Sequence, residues 1–282
     1  MRPIFCRFWL LTLITLLLTL SIGMINPQPS FGRSWMDLLF RGVQVIQLST
    51  ISPQQEVALG KQINQGLLES GKIQLSKDAR INQYVQEIGQ RLAATSDRPD
   101  LPYTFQVVRD NSINAFATMG GFVYLHTGLI KTADNEAELA SVIAHEIGHI
   151  VGRHSITQLR NTALAQGLLS AAGLDTKTWV QLGVNLAYNL PNSRKDELEA
   201  DRLGLNNLAE AGYAATAMIS FMGKLAQQGG STPAILSTHP ATGDRILSLQ
   251  KQLNSVNNKQ NQGLDENYYQ LQIRSLQYYQ NV

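Results

Sequence analysis

The sequence predicts an α+β fold, mostly helical, with a small β-sheet next to one helix that carries two histidines. Three observations predict it. Apolar residues recur at helical spacing through most of the chain after residue 52. Two short runs, Tyr103 to Val108 and Gly121 to Thr127, have the β-branched and aromatic content of strands. The second run lies just before the helix-patterned stretch 135–152, which contains His145 and His149.

The elements follow in order. Arg2 and Arg7 precede an apolar run from Phe8 to Ile25, and the breaker stretch Asn26 to Gly32 follows it. Residues 1–32 therefore read as a secretory signal peptide or, if uncleaved, as an N-terminal membrane anchor. Either way the flanking arginines keep the N-terminus cytoplasmic and send the remainder across, to an extracytoplasmic, periplasmic location. Segment 34–48 has a helical apolar pattern suited to a membrane surface or to packing. Ser52-Pro53 starts the next helix, 52–70. Ile81, Tyr84, Val85, Ile88 and Leu92 mark a helix over 77–95, which Arg98 to Pro102 ends before the first strand. After the second strand come helical patterns at 135–152, 155–172, 176–189, 192–211, 214–228 and 241–256. Residues 257–282, rich in Asn and Gln, read as a weakly held helix or flexible tail. One catalytic domain, 33–256, contains the rest. No apolar run after residue 32 is long enough to cross a bilayer.

Composition narrows the function. The chain is 44% hydrophobic and 16% charged, as globular chains are. Residues 1–32 hold Arg2 and Arg7 and no acidic residue, so without them the basic count falls from 23 to equal the 21 acidic residues. A neutral chain has no basic excess to neutralise phosphates, which argues against nucleic acid as a partner. The only cysteine, Cys6, precedes the apolar run, so the remainder can form neither a disulfide nor a thiolate metal site.

The chemistry is concentrated in HEIGH, residues 145–149. His145 and His149, four apart, project from one helix face and can reach one zinc ion, with Glu146 beside them to act on water as a general base. The nearby candidate for a third ligand, His154, fails on spacing. Nine residues beyond His145 is about 900° on a continuous helix, the opposite face, so His154 is expected at the surface. A carboxylate from another helix fits better. In SRKDELEAD, residues 193–201, Glu197 and Asp201 lie four apart on a stripe continued by Leu205 and Leu208, whereas Glu199 points away to solvent. Glu197 can complete a His-His-Glu site. Asp201 can accept a hydrogen bond from the outer nitrogen of a ligating histidine. Arg194 and Arg202 are placed to pair with these acids.

HEIGH followed by SRKDELEAD resembles the zinc metallopeptidase family of the CAAX prenyl proteases and HtpX, of the gluzincin type. Two further stretches, Asn114 to Ala117 with Gly120 to Leu125 and Thr127 to Leu129, and Ser237 to Pro240 with Asp244 to Ile246, are similar to its soluble periplasmic BepA-like branch. The resemblance covers roughly residues 52–250. It implies a zincin-like metallopeptidase fold, one zinc ion per chain on His145, His149 and Glu197, and Glu146 as general base. It implies that His239 either stabilises the oxyanion or occupies the open metal position in a latent form, though a plain loop histidine remains an alternative. Arg245 either stabilises charge at the site or anchors its own helix. The strand containing Gly121, Phe122, Val123 and Tyr124 is expected to pair with an extended substrate or to be purely structural. His126 on it is expected at the surface. The tetratricopeptide-repeat region of that branch is not expected here, so its partners do not carry over.

The expected activity is zinc-dependent endopeptidase cleavage of unfolded or misassembled exported proteins. The alternatives are a latent zinc-containing assembly factor that binds more than it cuts, and a small-peptide hydrolase.

Overall fold

The computed structural model describes residues 51–166, 176–189, 192–227, 232–240, 243–256 and 260–278. The apolar run Phe8 to Ile25 and segment 34–48 lie outside the described residues. Ser52 opens α1 (Pro53–Glu69) with a reciprocal capping box to Gln55, as Ser-Pro implies. Asp78 caps α2 (Ala79–Ala94), whose apolar stripe from Ile81 to Leu92 is buried. Three strands follow: β1 (Thr104–Val108), β2 (Ala115–Thr118) and β3 (Phe122–His126), in spatial order β1-β3-β2.

β3 is the central strand. It pairs parallel with β1, from Thr104–Phe122 to Val108–His126, and antiparallel with β2, from Ala115–Leu125 to Thr118–Phe122. Its alternating side chains feed two cores, Val123 and Leu125 into one and Phe122 and Tyr124 into the other. Both faces of the sheet are thus covered by helices. The β2–β3 turn runs through Gly120 and Gly121 at φ +80 and +96, backbone that a side chain would strain. Where Gly120 lies, an added Cβ would sit 3.0 Å from the Glu56 carbonyl oxygen, so α1 packs directly on this turn.

A short α3 (Thr127–Thr132) leads to α4 (Glu136–Val151), capped by Asn135 and buried along nearly its whole length. Then come α5 (His154–Ala165), α6 (Thr176–Asn189), α7 (Arg194–Glu210), α8 (Thr216–Gln227), the short α9 (Ile235–Thr238) and α10 (Gly243–Leu253). The main core joins α2, α3, α4, α7 and α8 to one face of the sheet. The second joins α1, α5 and α6 to the other. No helix among the described residues is long and apolar enough to cross a membrane.

The C-terminal region corrects the expectation of a weakly held tail beginning at 257. Helices α11 (Glu266–Gln272) and α12 (Arg274–Tyr278) bury Tyr269, Ile273 and Leu276 in the main core. Tyr269 donates to the Ile130 carbonyl at 2.6 Å, and the Gly263 carbonyl accepts from Ala137 N–H in the first turn of α4. The Asn and Gln content hid a helical i, i+4, i+7 spacing of three apolar residues.

Helices α4 and α7 cross closely because small residues face each other. A Cβ on Gly148 would lie 2.6 Å from the Ala200 carbonyl oxygen, and one on Gly204 would lie 2.9 Å from His145 N. Gly148→Ala is therefore expected to push the helices apart and to destabilise by about 1–3 kcal/mol in denaturant unfolding. Gly223→Ala, on α8 with open space around it, is the control and should change stability by less than about 1 kcal/mol in either direction.

Candidate metal centre

The crossing of α4 and α7 brings the predicted residues together. His145 and His149 face Glu197 across it, and His239, at the C-terminus of α9, closes the group. All four are buried, and one ligand atom from each lies within 4.8 Å of the others. His145 Nε2 is 3.0 Å from His149 Nε2, 3.3 Å from His239 Nδ1 and 3.5 Å from Glu197 Oε2. Glu197 Oε1 is 3.3 Å from His149 Nε2 and 3.0 Å from His239 Nδ1. A tetrahedron with bonds of about 2.0–2.1 Å has edges of roughly 3.3 Å, so these separations suit one zinc ion. Three neutral imidazoles and a carboxylate are also the donor types zinc takes.

The charges around this group are arranged to hold it. Asp201, fully buried, lies 3.0 Å from His145 Nδ1, on the side away from the other donors. Arg245 donates to both Asp201 oxygens at 2.7 Å and approaches Glu197 Oε2 at 2.6 Å. The nitrogen that faces Glu197, Nη1, also donates to the Pro240 carbonyl at 2.9 Å, which ties down the segment carrying His239. Burial favours the neutral acids, but His239, His145 and His149 hold Glu197 below the usual carboxylate range, and Arg245 and His145 do the same for Asp201. Burial lowers His145, but contacts with Asp201 and Glu197 outweigh it and push its pKa up to about 10. Burial holds His149 well below its usual value. Glu146 is raised, chiefly by burial.

Residues 79–253 match Peptidase family M48. The chain belongs to peptidase family M48. A putative beta-barrel assembly-enhancing protease of Vibrio cholerae is 36% identical over 70% of this chain and 44% of its own length. The beta-barrel assembly-enhancing protease of Escherichia coli is 31% identical over 94% of this chain and 56% of its own length. The mitochondrial metalloendopeptidase OMA1 of Schizosaccharomyces pombe is 35% identical over 60% of this chain and 52% of its own. The chain thus spans about half the length of these relatives. Its fold and family are those of a metallopeptidase domain.

Within this M48 domain Glu146 stands apart from the four donors. It is fully buried, His239 Nε2 lies 3.6 Å from its Oε1, and neither carboxylate oxygen has a hydrogen-bond partner. A cleft of about 550 Å³ runs past it, lined by Phe116 to Met119 of β2 and its turn, by His149 and His239, and by Leu186 and Ala187 of α6. The strand flanking the cleft is therefore β2. The expected substrate strand, Gly121 to Tyr124, is corrected on this point: β3 has both backbone edges occupied, by β1 and β2, and cannot accept a further strand.

Other expectations shift too. Arg194 pairs with Asp244 rather than with Glu197 or Asp201, whose cation is Arg245. His126 is buried, not superficial: Ser112 Oγ lies 2.8 Å from its Nδ1, within the loop that follows β1. Asn192, which sequence reasoning missed, puts Nδ2 3.3 Å from His239 Nδ1 and receives a hydrogen bond from Gln158. Its one signal was its place just before the Ser193 cap of α7.

His154 departs most from expectation. It is 3% exposed, with Nδ1 2.8 Å from His149 Nδ1. The continuous-helix argument fails because α4 stops at Val151 and Arg153 adopts a left-handed conformation at φ 55, ψ 32. That corner is held from outside. Buried Glu56 receives a two-pronged contact from Arg98 at 3.0 and 2.8 Å and pairs with Arg153 at 3.3 Å. Arg98 also donates to the Ile150 carbonyl, and Arg153 to the Ile51 carbonyl. Arg98 thus caps the C-terminal end of α4, and Arg153 ties the corner to the segment before α1.

Proposed function

We propose that this chain is a zinc-dependent endopeptidase that cleaves unfolded or misassembled exported proteins outside the cytoplasm. The observation that carries the chemistry is Glu146: a buried carboxylate without a hydrogen-bond partner, beside four converging donors and open to a cleft. His145, His149 and Glu197 are the residues that would hold the ion. Zinc, when bound, lowers the pKa of a coordinated water and polarises a carbonyl. Glu146 would take the proton of that water at its carboxylate and pass it to the departing amine, a role that its raised pKa favours. The outer edge of β2 would hold the substrate backbone extended along the cleft by strand pairing, which tolerates many sequences. On the far side of His145 and His239, an apolar hollow of about 420 Å³ lined by Val142, Met218, Phe221 and Met222 would take an apolar substrate side chain.

The assignment to exported substrates rests on two supports. Arg2 and Arg7 before an apolar run suit export. The bacterial relatives are named beta-barrel assembly-enhancing proteases.

A second reading has its own observation. His239 Nδ1 stands at donor distance from both His145 and Glu197, where it would fill the position a substrate needs. In that case the native chain is a latent peptidase, with Asn192 and Arg245 holding the latch. His239→Ala distinguishes the two in a casein-degradation assay with saturating zinc. A rise in rate shows a latch. A fall of about tenfold or more shows that His239 stabilises the transition state.

A further inference from the structure

We infer that His154 is a positioning residue for the metal centre: it fixes His149 so that Nε2, and not Nδ1, is presented to the ion. The inference rests on the reading of His149 as a ligand. Two imidazole nitrogens 2.8 Å apart, with ring planes at 76°, must share one proton, donor on one ring and acceptor on the other. His149 Nε2 faces His145 and Glu197, so to offer a lone pair there it must carry its proton on Nδ1. His149 then donates and His154 Nδ1 accepts.

The far side of the His154 ring completes the chain. With Nδ1 accepting, neutral His154 carries its proton on Nε2. That atom is buried without a hydrogen-bond partner, 3.6 Å from Glu199 Oε2 and 3.9 Å from Asp196 Oδ1. Carboxylates from the first turns of α7 therefore face the end of a His149–His154 relay. The same helix supplies Glu197 as a donor and Asp201 beside His145. Each helix-borne histidine ligand thus has an outer partner: His145 has Asp201, and His149 has His154, whose far nitrogen faces Glu199 and Asp196.

The local backbone is built for this ring. A Cβ on Gly152 would lie 2.4 Å from His154 Nε2, so glycine leaves the space that the imidazole occupies. The left-handed turn at Arg153, held by Glu56, swings His154 back under α4. Ordinary packing of a buried histidine would need none of these features. A ring held edge-on to a ligand histidine needs all of them, because outer partners set the tautomer and basicity of ligating imidazoles.

The test is zinc affinity, measured on the full-length protein by competition with a chromophoric chelator. His154→Phe, which keeps the shape and removes the acceptor, is expected to weaken zinc binding about 10–100-fold. His154→Asn, whose Oδ1 can stand where Nδ1 stood, is expected to restore most of it. Zinc affinity in His154→Phe within about twofold of native would overturn the inference, and so would equal losses in the two variants. Should neither variant fold, nitrogen-15 NMR of the native zinc-loaded chain decides. A proton on His149 Nδ1 coupled across the hydrogen bond to His154 Nδ1 supports the relay; a proton on His154 Nδ1, with none on His149 Nδ1, overturns it. A native chain that binds no zinc at all overturns the metal reading itself, which keeps the two failures separate.

Discussion

Glu146→Gln is expected to lower the rate of casein cleavage by about 10²–10⁴-fold, the usual contribution of a general acid–base group. Zinc binding should remain at the native stoichiometry, because Glu146 is not among the four converging donors. Stability should not fall. The carboxylate oxygens accept no hydrogen bond, so the isosteric amide breaks none and removes a buried charge without a strong partner. The decisive pattern is low activity with native metal content and an unfolding midpoint no lower than native. Loss of zinc in Glu146→Gln would place this residue among the ligands and contradict its role as base.

The second large effect concerns Arg245. It is 3% exposed and neutralises Asp201 and Glu197 together while holding the Pro240 carbonyl. Arg245→Ala strands two buried carboxylates, and breaking such a pair costs about 3–5 kcal/mol. In chelator the unfolding free energy should fall by that amount. With zinc present the loss should be smaller, since the ion then neutralises Glu197 in place of the guanidinium. Equal losses with and without zinc would mean that the ion does not sit against Glu197.

Much of the centre was legible in the sequence because its spacing is local. His145 and His149 share a face at i, i+4, and so do Glu197 and Asp201, each pair within one regular helix. Gly148 and Gly204 were readable as small residues but not as contacts, since their value lies in the opposing helix. What stayed hidden depends on tertiary partners. The turn that buries His154 uses a non-glycine left-handed residue, unfavourable by about 1–2 kcal/mol on its own. It is stabilised by Glu56 and Arg98, which lie about a hundred and about fifty residues upstream in the chain. Strand β2, Ala-Phe-Ala-Thr, is too short and too poor in β-branched residues to announce itself, so the sequence did not show that it covers the edge of β3 where an extended substrate could have paired. The cation for Glu197 and Asp201 was sought on their own helix, at Arg194 and Arg202, and came from α10 instead.

The measurement that tests the zinc peptidase assignment most directly is reconstitution. The chain, stripped with a chelator, is titrated with zinc while casein cleavage is followed, in the native sequence and in His239→Ala. The account predicts no cleavage in the stripped protein and a linear gain that levels off at about one zinc per chain, the stoichiometry of one His-His-Glu site. Full zinc occupancy with no cleavage in either form would contradict it.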